Sequence, residues 1–95
     1  MFLGAYHFDG DTQTLLEGYD RLVAQFPPGV IELNVCVTRD EGMTVFDACP
    51  SRDAFLGFSQ SPEFIAAVSA AGLPAPRVDP LGDVHAATVA SNLRA

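Results

Sequence analysis

The chain has 95 residues, 48% of them hydrophobic and only 18% charged, which fits one domain, excludes a second independent core and favours assembly with another subunit. Its twelve acidic residues outnumber five scattered Arg, for a net charge of −7, which excludes a nucleic acid or an anionic membrane surface as a partner. No apolar run reaches the ~18 residues of a membrane-spanning helix, and the N-terminus does not resemble a signal peptide, so we expect a cytoplasmic protein.

The first two predicted elements are a strand and an amphipathic helix. Residues 2–8 alternate as a strand that is buried on both sides. One face carries Phe2, Gly4, Tyr6 and Phe8, and the other carries Leu3, Ala5 and His7. Asp11 is expected to cap a helix whose apolar stripe consists of Leu15, Leu16, Tyr19, Leu22, Val23 and Phe26. The segment Pro27-Pro28-Gly29 ends this helix.

A β-hairpin is predicted next, with strands at residues 30–38 and 43–49. The turn at residues 39–42 is typical of a three-residue loop with Gly42 in the left-handed position, which pairs Arg39 with Met43. In this register Cys36 lies opposite Phe46, and Cys49 lies opposite Leu33. The two sulfurs then point to opposite faces, roughly 10 Å apart along the strands. This predicts two free thiols rather than a disulfide.

Two capping signals divide the second helical region into two pieces. Ser51 precedes a helix at about 52–59, and Ser61 with Pro62 precedes a second helix at about 62–71. Gly72 and Pro74 then end the helical region. In the remainder, Pro80 and Gly82 suit an edge strand or a bulge, and a cleaner strand is expected from Val84 to Val89.

The element order βαββαβ predicts a ferredoxin-like α+β fold, in which a four-stranded antiparallel sheet carries its helices on one face. The domain spans residues 1–90, and residues 91–95 form a C-terminal tail. The uncovered sheet face is expected to carry Leu3, Ala5, His7, Cys36, Thr38, Thr44, Phe46 and Ala48. Because this face is too apolar to remain in water, we expect a homodimer that forms sheet to sheet.

Residues 53–64 read DAFLGFSQSPEF. Together with the element order and the length, this segment resembles the dimeric α+β barrel superfamily, which includes antibiotic-biosynthesis-monooxygenase-like and stress-responsive barrel families. The resemblance implies two sheets packed into a barrel and small apolar ligands held between sheet and helices. Some members are enzymes, whereas others only bind or assemble.

The resemblance also removes some activities. Haem-degrading and quinone-forming oxygenases of the superfamily typically use an Asn together with a Trp, and this chain contains no Trp. Its two Asn residues are Asn34, which the predicted register assigns to the barrel-facing side, and Asn92 in the tail. Neither of those activities is therefore expected.

The helix-facing side of the sheet is the candidate ligand site. Its expected lining is Phe2, Tyr6, Phe8, Tyr19, Leu33, Val35, Val45, Phe55, Phe58, Phe64, Ile65 and Val68. These residues either fill the core or leave a pocket beside Gly4, Gly18 and Gly57, where side-chain volume is missing. The ligand-binding candidates are Tyr6, Phe2, Phe55, Phe58, Phe64 and Val68.

Asp47 is the most informative polar residue of this region. In the predicted register it lies opposite Val35, on a face that is otherwise apolar. Burial there raises the pKa of a carboxyl unless a donor pairs with it, so Asp47 is either a general acid/base or a satisfied structural carboxylate. A slip of one residue would move it to the opposite face. Tyr19 and His85 are the other candidate catalytic residues.

The two histidines are predicted on the first and fourth strands, which are adjacent in this fold. His7 shares the face of Leu3 and Ala5, so we assign it to the dimer interface, whereas the face of His85 stays open. The His, Asp and Cys residues show no standard metal-ligand spacing, and no cofactor motif occurs. We therefore expect no metal and no cofactor.

Two functions remain open. The leading hypothesis is a homodimeric barrel that binds a small hydrophobic or aromatic metabolite and acts as a cofactor-free isomerase, cyclase or monooxygenase through Asp47, Tyr19 and His85. The alternative is a non-catalytic dimerisation or ligand-sensing module whose aromatic residues only fill the core. The absence of a cavity larger than a water molecule would favour the alternative.

Overall fold

The computed structural model describes residues 1–26 and 32–90, which form an antiparallel sheet and three helices. In chain order the elements are β1 (Phe2–Asp9), α1 (Thr12–Val23), β2 (Leu33–Arg39), β3 (Gly42–Cys49), α2 (Arg52–Ser59), α3 (Pro62–Ala70) and β4 (Arg77–Asp83). The strand order is β2-β3-β1-β4, which confirms the predicted ferredoxin-like α+β fold. The predicted helix stop at 27–29, the first residues of the predicted second strand and the tail at 91–95 with Asn92 lie outside the described residues.

Each of the three helices begins where the sequence predicts, because a side chain caps it. The N-cap side chains accept a backbone N–H three residues further on, and they belong to Asp11, Ser51 and Ser61. At the end of α3, Gly72 has a φ of 80°, the left-handed backbone that glycine adopts readily. The division of the second helical region into two pieces is therefore confirmed.

The core lies between one face of the sheet and the helices, and we call this the covered face. Strand β1 contributes Phe2, Tyr6 and Phe8, and β3 contributes Met43, Val45 and Cys49. The helices and the segment after α3 add Leu15, Leu22, Phe55, Phe64, Val68, Ala71 and Leu73. The opposite side of the sheet, which we call the open face, carries no helix of the described chain.

The turn between β2 and β3 differs from the prediction by one residue. Arg39 pairs with Gly42 rather than with Met43, and Glu41 takes the left-handed backbone, with a φ of 55°. A Cβ at Gly42 would lie 2.7 Å from the guanidinium of Arg39, so that side chain would have to shift. The guanidinium donates to the carbonyl oxygen of Phe8 at 3.0 Å. A side chain at position 42 would therefore disturb this hydrogen bond.

The corrected register reverses the faces of β2. Asn34, Cys36 and Thr38 share the covered face, whereas Leu33, Val35 and Val37 lie on the open face opposite Ala48, Phe46 and Thr44. The prediction that Leu33 and Val35 line the ligand site is therefore wrong, as is the placement of Cys36 and Thr38 on the open face. A register shift of one residue moves every side chain of a strand to the other side.

The two cysteines are free, as predicted, but for a different geometric reason. Both belong to the covered face rather than to opposite faces. Cys36 pairs with Val45 and is separated from Cys49 by four positions along β3. At about 3.3 Å per residue, this spacing is too long for a disulfide.

The fourth strand is formed by Arg77–Asp83, so the cleaner strand predicted at 84–89 is wrong. Strand β4 contains the expected irregularity, a register shift opposite Leu3 and Gly4. Asp83 already pairs with Phe2 at the end of β1, which leaves the following residues almost nothing to pair with. Only the N–H of Val84 continues the ladder, by donating to the carbonyl oxygen of Met1 at 2.7 Å.

Among the described residues, no helix is long and apolar enough to span a bilayer.

Candidate functional site

A small cavity of about 30 Å³ lies between the covered face and the helices. Its lining consists of Tyr6, Phe8, Tyr19, Leu22, Val23, Phe26, Asn34, Val45, Asp47, Phe58 and Phe64. A cavity of this size holds about one or two water molecules. Four polar side chains stand out in an otherwise apolar wall, and they are Tyr6, Tyr19, Asn34 and Asp47.

Three of these polar side chains form a chain of hydrogen bonds. The Asn34 side-chain N–H donates to Asp47 Oδ1 at 2.5 Å, and the Tyr19 hydroxyl donates to Asn34 Oδ1. Asn34 can reach the carboxylate because it is the direct cross-strand partner of Asp47. These hydrogen bonds link Tyr19, a half-buried residue of α1, and Asn34, an exposed residue of β2, to the buried carboxylate of Asp47 on β3.

The carboxyl of Asp47 is nearly withdrawn from water, with 3% of the residue exposed. Burial raises the pKa of Asp47 to about 6, and the hydrogen bond from Asn34 opposes that rise. A carboxyl with this pKa changes protonation state close to neutral pH. Such a group suits general acid/base chemistry, for which the best pKa lies near the working pH.

The hydroxyl of Tyr6 is buried and has no hydrogen-bond partner among the described residues. Tyr6 pairs with Val45, and its neighbour Gly4 on the same face pairs with Asp47, so Tyr6 and Asp47 are diagonal neighbours. Burial, and then the negative charge of Asp47, raise the pKa of Tyr6 above its usual value. The hydroxyl therefore keeps its proton and acts as a donor.

The six predicted ligand-binding residues are divided between three places. Tyr6, Phe58 and Phe64 line the cavity. Phe2 and Phe55 pack in the core, with their ring centres 5.8 Å apart. Val68 lines a separate groove of about 420 Å³ beside α3 and the start of β4. Ile65, which was expected in the lining, is 59% exposed and contacts this groove instead.

The three predicted catalytic residues are not brought together. Tyr19 and Asp47 share the cavity, whereas His85 lies beyond β4 in an exposed segment beside Leu81. His7 lies on the open face, as expected. Its ring contacts Thr44 Oγ1 at 3.0 Å and Asp79 Oδ2 at 3.4 Å, and not His85.

Asn34 is the site residue that sequence reasoning missed. Strand β2 alternates Leu33, Val35 and Val37 with Asn34, Cys36 and Thr38, and the more apolar set was assigned to the covered face. The length of the turn identifies the correct face. A two-residue loop at Asp40 and Glu41 pairs Arg39 with Gly42, and this register places Asn34 on the covered face. Within residues 1–26 and 32–90, no group of three His, Cys, Asp or Glu is arranged to hold a metal ion.

Comparison with known proteins identifies the fold. No protein-family model matches the chain, and no curated protein matches it. The crystal structure of an antibiotic biosynthesis monooxygenase-like protein from Deinococcus radiodurans superposes with a TM-score of 0.63 at 10% sequence identity. The match covers 96% of this chain and 100% of the other. The resemblance predicted from residues 53–64 is thus confirmed for the fold, and at this identity the match carries no activity.

Proposed function

We propose that the protein binds a small apolar molecule between the covered face and the helices and moves a proton within it, without a cofactor, through Asp47. The observation that carries this proposal is the carboxyl of Asp47, which is 3% exposed and has a pKa of about 6. A structural carboxylate in a core is normally held by several donors. Among the described residues, the side chain of Asp47 receives a hydrogen bond only from Asn34.

Three of the four polar residues of the cavity have a role in this proposal. Asp47 accepts a proton from the bound molecule and returns it at another atom, which is the step that isomerases and cyclases share. Asn34 holds one carboxylate oxygen, and Tyr19 holds Asn34, so these two are positioning residues. His85 lies outside the cavity and receives no role. The exchange of one proton needs no oxidant and no metal.

Binding requires the cavity to open. A cavity of about 150 Å³ is needed for a molecule as small as benzene, and the observed volume is about 30 Å³. Two lining residues are accessible enough to move, since Val23 is 46% exposed and Phe26 is half-buried. We propose that a ligand enters by displacing these two side chains and then packs against Phe8, Phe58 and Phe64.

The open face supports a homodimer. Val35 and Val37 are 43% and 39% exposed, and Leu3, Leu33 and Phe46 beside them are half-buried. An apolar patch on one sheet face is expected to be buried by association. Light scattering at micromolar concentration should give a mass of about 20 kDa, twice the 10.1 kDa of the chain. A mass of one chain would contradict the dimer.

The two free thiols favour a reducing compartment, so we place the protein in the cytoplasm.

The size of the cavity favours a second candidate function. A volume of about 30 Å³ is what a well-packed core leaves around one buried water. In this alternative the chain is a non-catalytic dimerisation or ligand-sensing module, and Phe58 and Phe64 are core residues only. The two candidates differ in what they expect of Asp47.

Solvent deuterium exchange distinguishes the two candidates. The protein is incubated in D₂O with small cyclic carbon acids, and deuterium incorporation is followed by NMR. We expect the wild type to accelerate exchange and Asp47→Asn to slow it by about 100-fold to 10,000-fold, the usual contribution of a general base. The matched control is Asp53→Asn, which neutralises an exposed carboxylate in the first turn of α2 and should change nothing.

The same experiment can contradict the enzyme. If wild type and Asp47→Asn exchange at equal rates, Asp47 has no catalytic role. If none of the compounds shifts the amide resonances of residues that line the cavity, no ligand enters it. Either result favours the non-catalytic module.

A further inference from the structure

The hydroxyl of Tyr6 is a polar group of the cavity that the proton transfer above does not use. The residue is 2% exposed, and its ring packs against Phe55 and Phe64 at centre distances of 5.4 Å and 5.1 Å. These contacts fix the direction of the hydroxyl, which has no partner among the described residues. A buried polar atom without a partner is costly, so we expect the cavity to hold an acceptor for this hydroxyl.

The charges in the cavity define what such a molecule must offer. Tyr6 keeps its proton, because burial and the nearby Asp47 both raise its pKa, so it needs an acceptor oxygen. Asp47 is ionised above a pH of about 6 and needs a proton donor. The two side chains line the same cavity but do not bond to each other. A ligand between them therefore presents an acceptor oxygen to one and an acidic proton to the other.

We propose that the substrate is a carbonyl compound, a ketone or an ester with an apolar body, whose oxygen accepts a hydrogen bond from Tyr6 while the adjacent carbon gives its proton to Asp47. This inference rests on the function proposed above. Asp47 takes the proton, the C–H electron pair becomes a carbon–carbon double bond, and the carbonyl pair moves onto oxygen. Tyr6 donates to the resulting enolate oxygen. Asp47 then returns the proton to the same carbon or to a conjugated one, so atoms and electrons balance.

The test compares two ligands with the same bicyclic body. Indanone is a ketone, whereas indene is a carbon acid without oxygen. Tyr6→Phe removes only the hydroxyl and keeps the ring between Phe55 and Phe64. We expect this variant to exchange deuterium into indanone with a kcat about 100-fold to 1,000-fold lower, as for the loss of an oxyanion donor, and with a KM that changes little. Exchange into indene should depend on Asp47 but not on Tyr6.

The outcomes separate this inference from the function on which it rests. If exchange into indanone needs Asp47 but is unchanged in Tyr6→Phe, the carbonyl assignment is wrong and the proton transfer stands. If Asp47→Asn has no effect, or no compound exchanges, both proposals are wrong. The phenol of the same ring system provides a third arm. If it binds more tightly than indanone and loses this preference in Tyr6→Phe, the recognised oxygen is a hydroxyl, and the carbonyl assignment is again overturned.

Discussion

The polar side chains on the two faces of the sheet differ in how completely they are hydrogen-bonded. On the open face, Thr44 Oγ1 contacts the His7 ring at 3.0 Å and accepts from Arg39 at 2.9 Å, and the other ring nitrogen of His7 faces Asp79. These groups complete one another's hydrogen bonds, and Thr44 itself is 4% exposed. On the covered face, within the described residues, Asp47 receives one side-chain hydrogen bond and the Tyr6 hydroxyl receives none. Incomplete pairing where water is scarce is what points to a ligand.

The same contrast separates chemistry from assembly. The covered face combines aromatic rings with a carboxyl, that of Asp47, whose pKa is raised by burial to about 6. The open face divides into a paired polar part around His7 and an apolar part around Phe46 and Val35. In the functions proposed above, one side of the sheet holds the reaction site and the other side forms the subunit contact. Substitutions on each face test whether this division is correct.

The largest expected effect is the pH dependence of stability that Asp47 causes. The pKa of Asp47 rises from 3.8 in the unfolded chain to about 6 in the native protein, so the native state binds this proton more tightly. As pH rises from about 3 to about 7, ionisation of Asp47 should lower the free energy of unfolding by about 3 kcal/mol. Asp47→Asn should remove this loss and be more stable than the wild type at neutral pH.

Urea denaturation at several pH values measures this effect as the difference between wild type and variant. Asp53→Asn is the matched control, because it makes the same substitution at an exposed carboxyl on α2. A variant Asp47→Asn that is less stable than the wild type at neutral pH would show that the carboxylate is a satisfied structural group.

The sequence predicted those features that local signals determine. The caps at Asp11, Ser51 and Ser61 placed the helix starts, and the alternation in residues 43–49 placed Asp47 on the covered face. The face of β2 could not be predicted, because it depends on one turn. Local preference favours Gly42 as the left-handed residue, whereas Glu41 takes that conformation and Gly42 pairs with Arg39 as the first residue of β3.

The register that this turn sets explains why Asn34 was missed. Asn34 could not be assigned to Asp47 while β2 was placed in the wrong register. His85 was misplaced for a similar reason, since pairing of Arg77–Asp83 with β1 uses up the length of β1. The positions of Asn34 and His85 both depend on how strands pair that are far apart in sequence. Patterns within one short segment do not contain this information.

The second prediction concerns the open face. Val35 lies in the row of Phe46 and Ala5, at the apolar part of this face. Val35→Lys should weaken the dimer by about 100-fold, because each copy then buries a charge without a partner. Ile65→Lys is the matched control, since Ile65 is 59% exposed on α3, on the other side of the sheet. Sedimentation equilibrium measures both variants. Equal weakening by the two substitutions would mean that the helices, and not the open face, form the contact.

The third prediction tests how tightly the covered face is packed. A Cβ at Gly4 would lie 2.1 Å from ring atoms of Phe55, which is fully buried. The Phe55 ring packs against Phe2 and Tyr6 at 5.8 Å and 5.4 Å, so it cannot shift without moving them. Gly4→Ala should therefore lower the free energy of unfolding by about 2 kcal/mol, the usual cost of overpacking.

A second glycine provides the control for this substitution. Gly57 lies in α2, and a Cβ added there would meet no atom within 4 Å, so Gly57→Ala should raise stability by about 0.5–1 kcal/mol through its better helix propensity. Urea denaturation measures both. If Gly4→Ala is as stable as the wild type, the Phe55 ring has room to move. The covered face would then be loose enough to admit a ligand by rearranging Phe55 and Tyr6, and entry past Val23 and Phe26 would not be required.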